Sequence, residues 1–336
     1  MSYLLEVKDL QVDLAIPAGT LNAVRKISFS VSRGETLALV GESGCGKSLT
    51  AMAIMNLLPR QARCQAAVLS FEGDDLRSFS QKQMADIRGR KMAMIFQEPM
   101  TSLNPCYTIG NQLEEAQLRH QKVSRQEARD RAVYLLEKVG ITAAGSRLKQ
   151  YPHQLSGGLR QRVMISMALM CAPALIIADE PTTALDVTIQ AQILSLLASL
   201  QQEFNMGMIM ITHDLGVVSR VADQVVVMYC GQIIESAPTR ELFARPLHPY
   251  TQGLLACIPI PGRSKRGQHL GSIPGTVPTP VGRLQGCIFR NRCPLAVEAC
   301  AEQTVNLQEI HARRSYRCLL SPDRAGYNWL EHDEYE

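Results

Sequence analysis

The sequence predicts an α/β protein whose central sheet is mainly parallel. Short apolar runs at residues 36–40 and 175–178 are typical of buried strands. Segments with helical spacing follow them, at 47–58 before Pro59 and at 187–204. Strands that alternate with helices in this way favour a largely parallel sheet.

Further strands are expected on both sides of these units. Residues 5–7 and 24–31 mix apolar and polar positions, and we assign them to an antiparallel β subdomain. Apolar strands are also expected at 91–96, 208–211 and 225–229.

A polar helical segment interrupts this core. Residues 109–139 have helical spacing, and Ser124 followed by Glu127 is a capping-box pattern for a helix start. We therefore expect an inserted helical subdomain at about 98–170.

The composition changes after residue 236. Eight prolines lie between residues 238 and 280, which is typical of a connector. We expect a core domain at 1–236, a proline-rich connector at 237–286 and a cysteine-bearing extension at 287–336. The extension is too small to fold on apolar burial alone and would benefit from a metal centre.

Overall charge and the lengths of the apolar runs weigh against nucleic-acid binding, secretion and membrane spanning. A net charge of +4 on 336 residues gives little support for a nucleic-acid partner and is compatible with docking to a membrane protein. Residues 1–13 lack the apolar core of a signal peptide, so we expect a cytoplasmic chain. The longest nearly apolar run, 163–178, has 16 residues and is too short to span a bilayer.

Residues 41–48 fit the phosphate-loop pattern of two glycines around four residues, followed by Lys and Ser. The glycines let backbone N–H groups face phosphates, Lys47 supplies a charge and the Ser48 hydroxyl can bind Mg²⁺. A chance match in a glycine-rich loop is the alternative, and the flanking strand and helix weigh against it. The expected nucleotide contacts here are Gly41, Ser43, Gly44, Cys45, Gly46, Lys47, Ser48 and Leu49.

Two carboxylates follow the predicted strand at 175–178. Asp179 is placed to hold Mg²⁺, and Glu180 is the better candidate for orienting or polarising the attacking water. A solvated Asp-Glu pair in a turn is the alternative.

Ser156, Gly157 and Gly158 precede an apolar helix, where a hydroxyl and free N–H groups can bind an anion. Taken alone, this pattern would more often be a helix cap. Gln97 and His213 each follow a predicted strand, and a lone histidine there is more often a packing residue.

Their joint order resembles the ATP-binding subunits of ABC transporters. The resemblance implies that Ser156–Gly158 contact the γ-phosphate of ATP held by the opposite subunit. Gln97 would be a Mg²⁺ ligand with Ser48 and Asp179, and His213 a switch residue. Residues 184–186 resemble the D-loop, with Asp186 at the nucleotide. The catalytic set implied is Glu180, His213 and Gln97, at a head-to-tail dimer interface.

Three positions depart from this family pattern. Leu159 stands where many members have Gln, and Leu49 where Thr is frequent. No aromatic residue lies near Ala18, where the resemblance places a ring that stacks on adenine.

Residues 97–105, 151–158 and 248–251 resemble oligopeptide and dipeptide importers, with nickel and glutathione importers as close relatives. The resemblance implies two permease subunits, an external or periplasmic solute-binding protein, a related second ATPase chain and a place on the cytoplasmic face of the membrane. It also places the groove for a permease helix just after Gln97; an ordinary surface turn is the alternative.

A soluble ABC ATPase of DNA repair or translation is the alternative from another class. Repair proteins of that type carry a long coiled coil, whereas only 107 residues, without heptads, separate Ser48 from Ser156. Translation-type members carry two nucleotide domains, and this chain has one.

Four of the ten cysteines fall close together near the carboxyl end, with spacings of five, six and seventeen residues. Four thiolates can hold zinc or an iron–sulfur cluster, and free thiols are the third possibility. The spacing resembles the iron–sulfur segment of dipeptide-importer ATPases, which implies a [4Fe–4S] cluster on Cys287, Cys293, Cys300 and Cys318. We expect the remaining six to be reduced thiols.

Overall fold

The computed structural model describes residues 3–98, 102–182, 186–258, 272–282 and 284–321. The strands in chain order are β1 (Leu5–Ile16), β2 (Gly19–Val31), β3 (Thr36–Val40), β4 (Ala62–Gln65), β5 (Val68–Phe71), β6 (Asp74–Asp75), β7 (Met92–Ile95), β8 (Leu175–Asp179), β9 (Gly207–Thr212), β10 (Gln224–Tyr229), β11 (Gln232–Pro238), β12 (Gln308–His311) and β13 (Arg314–Tyr316). The helices are α1 (Lys47–Ile54), α2 (Gln81–Ile87), α3 (Ile109–His120), α4 (Arg125–Lys138), α5 (Ala144–Arg147), α6 (Gly157–Leu169), α7 (Val187–Glu203), α8 (Leu215–Val221), α9 (Thr239–Ala244), α10 (Pro249–Ala256) and α11 (Ala299–Glu302).

Within these ranges the central sheet has the order β12-β13-β11-β10-β3-β9-β8-β7. The five strands from β10 to β7 are parallel, and β11, β13 and β12 extend the sheet antiparallel. Every residue of β3, β8, β9 and β10 is buried, as is usual for parallel strands covered on both faces. The predicted α/β class is confirmed.

The N-terminal strands form a separate antiparallel sheet, β2-β1-β5-β6, with β4 also paired to β1. Strands β1 and β2 form a long hairpin rather than the two short strands expected at 5–7 and 24–31. Register shifts interrupt the pairing, and Asp9 and Lys26 have positive φ. These irregularities break the two-residue alternation by which a strand is recognised in sequence.

The inserted segment forms α3 to α6, whose apolar side chains pack against one face of the central sheet. Leu113 of α3 and Leu135 of α4 share a core with Ile176 of β8. The predicted capping box is present, with Ser124 accepting from the Glu127 N–H and Glu127 from the Ser124 N–H. Helix α1 ends at Ile54, four residues before the predicted end, since Asn56 has a φ of 50°.

The described part of the cysteine-bearing extension lies against the core. Strand β13 pairs with β11 of the central sheet, and the Phe289 ring packs edge-on against Tyr229 and Tyr250. The division at 236 and 286 remains a prediction, and the acidic tail after residue 321 lies outside the described residues. Among the helices described, none is long and apolar enough to cross a membrane.

Candidate nucleotide-binding site

Residues 41–46 form the loop between β3 and α1, at the carboxyl end of the central sheet's parallel strands, and Lys47 and Ser48 begin α1. Gly41 and Gly46 have φ of 150° and 101°. A Cβ on Gly41 would lie 2.2 Å from the Met228 carbonyl oxygen, and one on Gly46 would lie 2.4 Å from that of Ala23. Only glycine fits at these two positions, because both the backbone conformation and the space exclude a side chain.

Lys47 lies buried at the start of α1. Its Nζ donates hydrogen bonds to the carbonyl oxygens of Gly41 (2.7 Å) and Glu42 (3.0 Å). These bonds hold the ammonium group at the loop, where it can supply charge to phosphate oxygens. The Cys45 side chain is fully buried beneath the loop, and burial raises the pKa of its thiol. The Cys45 N–H donates to the Glu42 carbonyl at 3.4 Å.

Asp179, the last residue of β8, meets the first turn of α1. The Ser48 hydroxyl donates a 3.0 Å hydrogen bond to Asp179 Oδ1. Burial and the neighbouring Glu180 charge raise the pKa of Asp179, and the Ser48 hydrogen bond opposes this shift. A hydroxyl beside a carboxylate supplies oxygen donors of the kind that Mg²⁺ prefers.

Glu180 joins the two other predicted catalytic residues. Gln97 Nε2 donates to Glu180 Oε2 at 2.8 Å, and His213 Nδ1 lies 3.5 Å from Glu180 Oε1. The Glu180 backbone has a φ of 45° and its N–H donates to the Ile211 carbonyl. A non-glycine residue held at positive φ is strained, and such strain clusters at functional sites.

Ser156 and Gly157 lie exposed at the amino end of α6. Ser156 Oγ accepts from the Leu159 N–H at 3.4 Å, so the serine does cap the helix. The hydrogen bonds found among the described residues do not join Ser156, Gly157 or Gly158 to residues 41–48. The predicted site residues thus fall into two groups within one chain.

Asp186 is exposed and caps α7, where its Oδ1 accepts from the Ile189 N–H at 3.0 Å. The predicted D-loop residues Ala184 and Leu185 lie outside the described residues. Leu49 is half-buried and packs against the core under the N-terminal sheet. The nucleotide-binding, metal-binding and catalytic roles given to all these residues remain predictions.

Ala18, near which the resemblance places a ring that stacks on adenine, is exposed in the turn between β1 and β2. Part of the proline-rich connector pairs with β2 a few residues further on. Asn22 N–H donates to the Pro280 carbonyl at 2.9 Å, and Leu21 forms a β-bridge with Val281.

Two contacts at the site were not anticipated from sequence. Glu42, inside the phosphate loop, forms a bidentate ion pair with Arg292 of the cysteine-bearing extension. Gln161 of α6 donates to the carbonyl of Pro181, next to Glu180. A buried glutamine on an apolar helix was a usable signal for the second contact; the first joins residues 250 positions apart and leaves no local signal.

None of the ten cysteines, all of which lie in the described ranges, forms a disulfide. Burial, with lesser contributions from neighbouring thiols, raises the pKa of Cys287 and Cys318 and that of Cys293 to about 12. Cys287 N–H also donates to the Cys300 carbonyl at 2.7 Å. Within the ranges described, no three His, Cys, Asp or Glu side chains are arranged to hold a single metal ion.

This phosphate loop, with an Asp-Glu pair at the end of β8 and a Ser-Gly-Gly helix start, defines an ATP-binding cassette of the ABC type. The chain matches the ABC transporter family over residues 24–183 and the oligopeptide/dipeptide transporter C-terminal region over 234–300. It belongs to the ATP-binding subunits of oligopeptide/dipeptide ABC transporters, which confirms the predicted family.

Similar proteins span nearly the whole chain. The oligopeptide transport ATP-binding protein AppD of Bacillus subtilis is 50% identical over 322 residues, covering 95% of this chain and 97% of AppD. The dipeptide transport ATP-binding protein DppD of Escherichia coli is 47% identical over 323 residues, covering 96% of this chain and 98% of DppD.

Solved structures support the cassette fold. The cbiO1 protein of Clostridium perfringens, part of an ABC transporter complex, has a TM-score of 0.62 at 27% identity, covering 73% of this chain and 92% of cbiO1. A dimeric ATP-binding cassette in a post-hydrolysis state bound to ADP and Pi has the same TM-score at 24% identity. The match covers 70% of this chain and 99% of that cassette, and it supports only the fold.

Proposed function

We propose that this chain hydrolyses ATP to power the import of di- or oligopeptides through a membrane permease. The observation that carries the proposal is two sets of contacts at the end of β8: Asp179 with Ser48 after the phosphate loop, and the next residue, Glu180, with Gln97 and His213. Family membership and near full-length similarity to peptide transport ATP-binding proteins support the transport role over a soluble ABC ATPase.

Each group has a distinct part in hydrolysis. Lys47 and the loop N–H groups would hold the phosphates, while Ser48, Asp179 and Gln97 would hold Mg²⁺, which would supply neutralisation of the charge on the phosphate oxygens. Glu180 orients and polarises the attacking water, and His213, in contact with Glu180, senses the γ-phosphate.

The site is completed by a second ATPase subunit. Ser156 to Gly158 present a hydroxyl and N–H groups at an exposed helix start, away from the chain's own loop contacts, which suits them to a partner's γ-phosphate. ATP bound between two subunits then favours the closed dimer, and hydrolysis reopens it. From the resemblance we take the second subunit to be a related chain. The assembly would lie on the cytoplasmic face of the membrane, on two permease subunits that receive peptide from a binding protein.

Two variants separate the halves of this composite site. In the isolated chain, Lys47→Ala should abolish ATP binding measured by calorimetry, while Ser156→Ala should leave it unchanged. In the complete complex, both should lower the ATPase rate. A Ser156→Ala complex with native hydrolysis would rule out the composite site.

Transport is tested with the complete complex in proteoliposomes. A radiolabelled dipeptide should accumulate when ATP is supplied, and a Glu180→Gln complex should not accumulate it. Mass spectrometry of the solute bound to the native complex identifies the cargo. Nickel or glutathione in place of peptide would overturn the substrate assignment.

We further propose that Cys287, Cys293, Cys300 and Cys318 hold a structural [4Fe–4S] cluster. Their spacing supports this, and the effects of neighbouring thiols on Cys287, Cys293 and Cys318 place these side chains near one another. Because burial raises their pKa, cluster binding would have to deprotonate the thiols. Anaerobically purified protein should contain iron and sulfide, and Cys293→Ser should reduce both. Cys64→Ser, at an exposed thiol in β4, is the control. Iron-free or zinc-bearing protein contradicts the proposal.

A further inference from the structure

The Glu42 carboxylate and the Arg292 guanidinium form a two-point ion pair. Arg292 Nη1 donates to Glu42 Oε2 at 2.7 Å, and Nη2 donates to Oε1 at 3.0 Å. The Arg292 side chain is 4% exposed and that of Glu42 is 29% exposed. A bidentate pair fixes the orientation of both groups, which a single hydrogen bond does not.

Glu42 is also part of the support for the phosphate-loop lysine. Its carbonyl oxygen accepts from Lys47 Nζ at 3.0 Å, and its N–H donates to the Tyr250 hydroxyl at 3.0 Å. The side chain and both backbone polar groups of Glu42 are thus held at once. Any movement of Glu42 would displace a carbonyl that holds Lys47.

Arg292 is itself anchored. Its Nε donates to the Pro274 carbonyl at 2.8 Å and its Nη2 to the Ile273 carbonyl at 3.1 Å. The guanidinium carbon lies 5.8 Å from the centre of the Tyr229 ring. Arg292 ends a short 3-10 helix and immediately precedes Cys293. The guanidinium therefore links the connector and the cysteine-bearing extension to the phosphate loop.

We propose that Arg292 is a positioning residue for ATP binding: by holding Glu42, it keeps the phosphate loop and Lys47 in the conformation that receives phosphate. The cysteine-bearing extension thereby sets the affinity of the ATP site. This inference rests on the proposed function and names a regulation of the same site. A preformed loop binds better because it does not have to be ordered by its ligand.

The test measures MgATP affinity by calorimetry in the full chain carrying Glu180→Gln, which prevents turnover. Arg292→Met should raise the Kd for MgATP by about tenfold or more. Arg292→Lys keeps the positive charge but cannot form the bidentate pair, so its Kd for MgATP should lie between those of the parent and Arg292→Met. Arg290→Met is the matched control, from the same 3-10 helix, because its guanidinium donates to the Gln285 carbonyl instead of the loop. It should bind like the parent.

A double-mutant cycle shows whether Arg292 acts through Glu42. Glu42→Gln should also weaken binding, and adding Arg292→Met to it should cost little more, because the two changes break one interaction. Additive effects would overturn the proposal. So would unchanged affinity in folded Arg292→Met with a lower unfolding temperature, since that outcome indicates a purely structural role.

Two further outcomes also test the proposed role of Arg292. If Arg292→Met does not fold, Arg292→Lys and Glu42→Gln carry the test, and native affinity in both overturns the proposal. If the parent itself fails to bind MgATP, the proposed function fails first and this inference with it.

Discussion

The side-chain amide of Gln161 donates a 2.7 Å hydrogen bond to the carbonyl oxygen of Pro181, the residue after Glu180. Gln161 lies in α6, the helix that begins with Ser156 to Gly158, and is 1% exposed. The helix that would contact a partner's ATP is therefore tied to the carboxylate that would act on the chain's own ATP.

Gln161→Leu should destabilise the protein, since it leaves the buried Pro181 carbonyl without its partner. An unsatisfied buried acceptor costs about 1–3 kcal/mol. Urea unfolding measures the free-energy change. Gln126→Leu, at an exposed position of α4, should change it by no more than about 0.5 kcal/mol. Equal small effects for both variants would show that the buried contact contributes nothing.

Glu180→Gln should lower kcat of the assembled complex by about 100-fold or more, because a positioned general base contributes on that order. MgATP binding should be retained, since Ser48, Asp179 and Lys47 are untouched. A phosphate-release assay with parallel calorimetry separates the two effects. Glu137→Gln, at an exposed carboxylate of α4, is the control, and a Glu180→Gln complex with native turnover would exclude the assigned role.

Asp179→Asn should abolish Mg²⁺-dependent nucleotide binding yet stabilise the protein in EDTA at neutral pH. Burial raises the pKa of Asp179, so its ionised form is disfavoured in the folded state. That penalty is complete above the folded-state pKa and disappears below the ordinary value of 3.8. Thermal unfolding in EDTA from neutral pH downwards should show the advantage of the variant shrinking. An advantage that grows with acid would contradict the sign of the shift.

His248 should make the protein less stable in acid. Burial, with a smaller effect from Arg317, lowers its pKa from 6.5 to about 3, so the folded state keeps it neutral. The contribution of neutral His248 to the free energy of unfolding is fully present above pH 6.5. It falls as the pH drops towards 3, by up to about 1.4 kcal/mol per pH unit.

The measurement compares unfolding free energies of the native chain and His248→Asn across this range. Asparagine can keep the cap that His248 Nδ1 makes with the Tyr250 N–H. Burial raises the pKa of the adjacent Glu235, which acts in the opposite direction and is common to both chains. The unfolding free energy of the native chain should therefore fall relative to that of His248→Asn as the pH is lowered. Parallel curves would refute the histidine contribution.

The local sequence pattern was sufficient to predict the strands of the parallel core. The predicted strand at 36–40 coincides with β3, and the capping box at Ser124 is present, because short apolar runs and helix caps depend on neighbours in the chain. The hairpin of β1 and β2 was underestimated because its register shifts disrupt the alternation. The end of α1 was misplaced because the left-handed turn at Asn56, and not Pro59, stops the helix.

The sequence by itself determined the family, the phosphate loop and the order of the site residues, since these depend on residue types at short spacings. The groupings of site residues were implied by the family resemblance, and the tertiary structure supplied the contacts themselves: Ser48 with Asp179, and Glu180 with Gln97 and His213. It also decided that Arg292 reaches Glu42, because only the packing of the cysteine-bearing extension on the core brings together charges 250 residues apart.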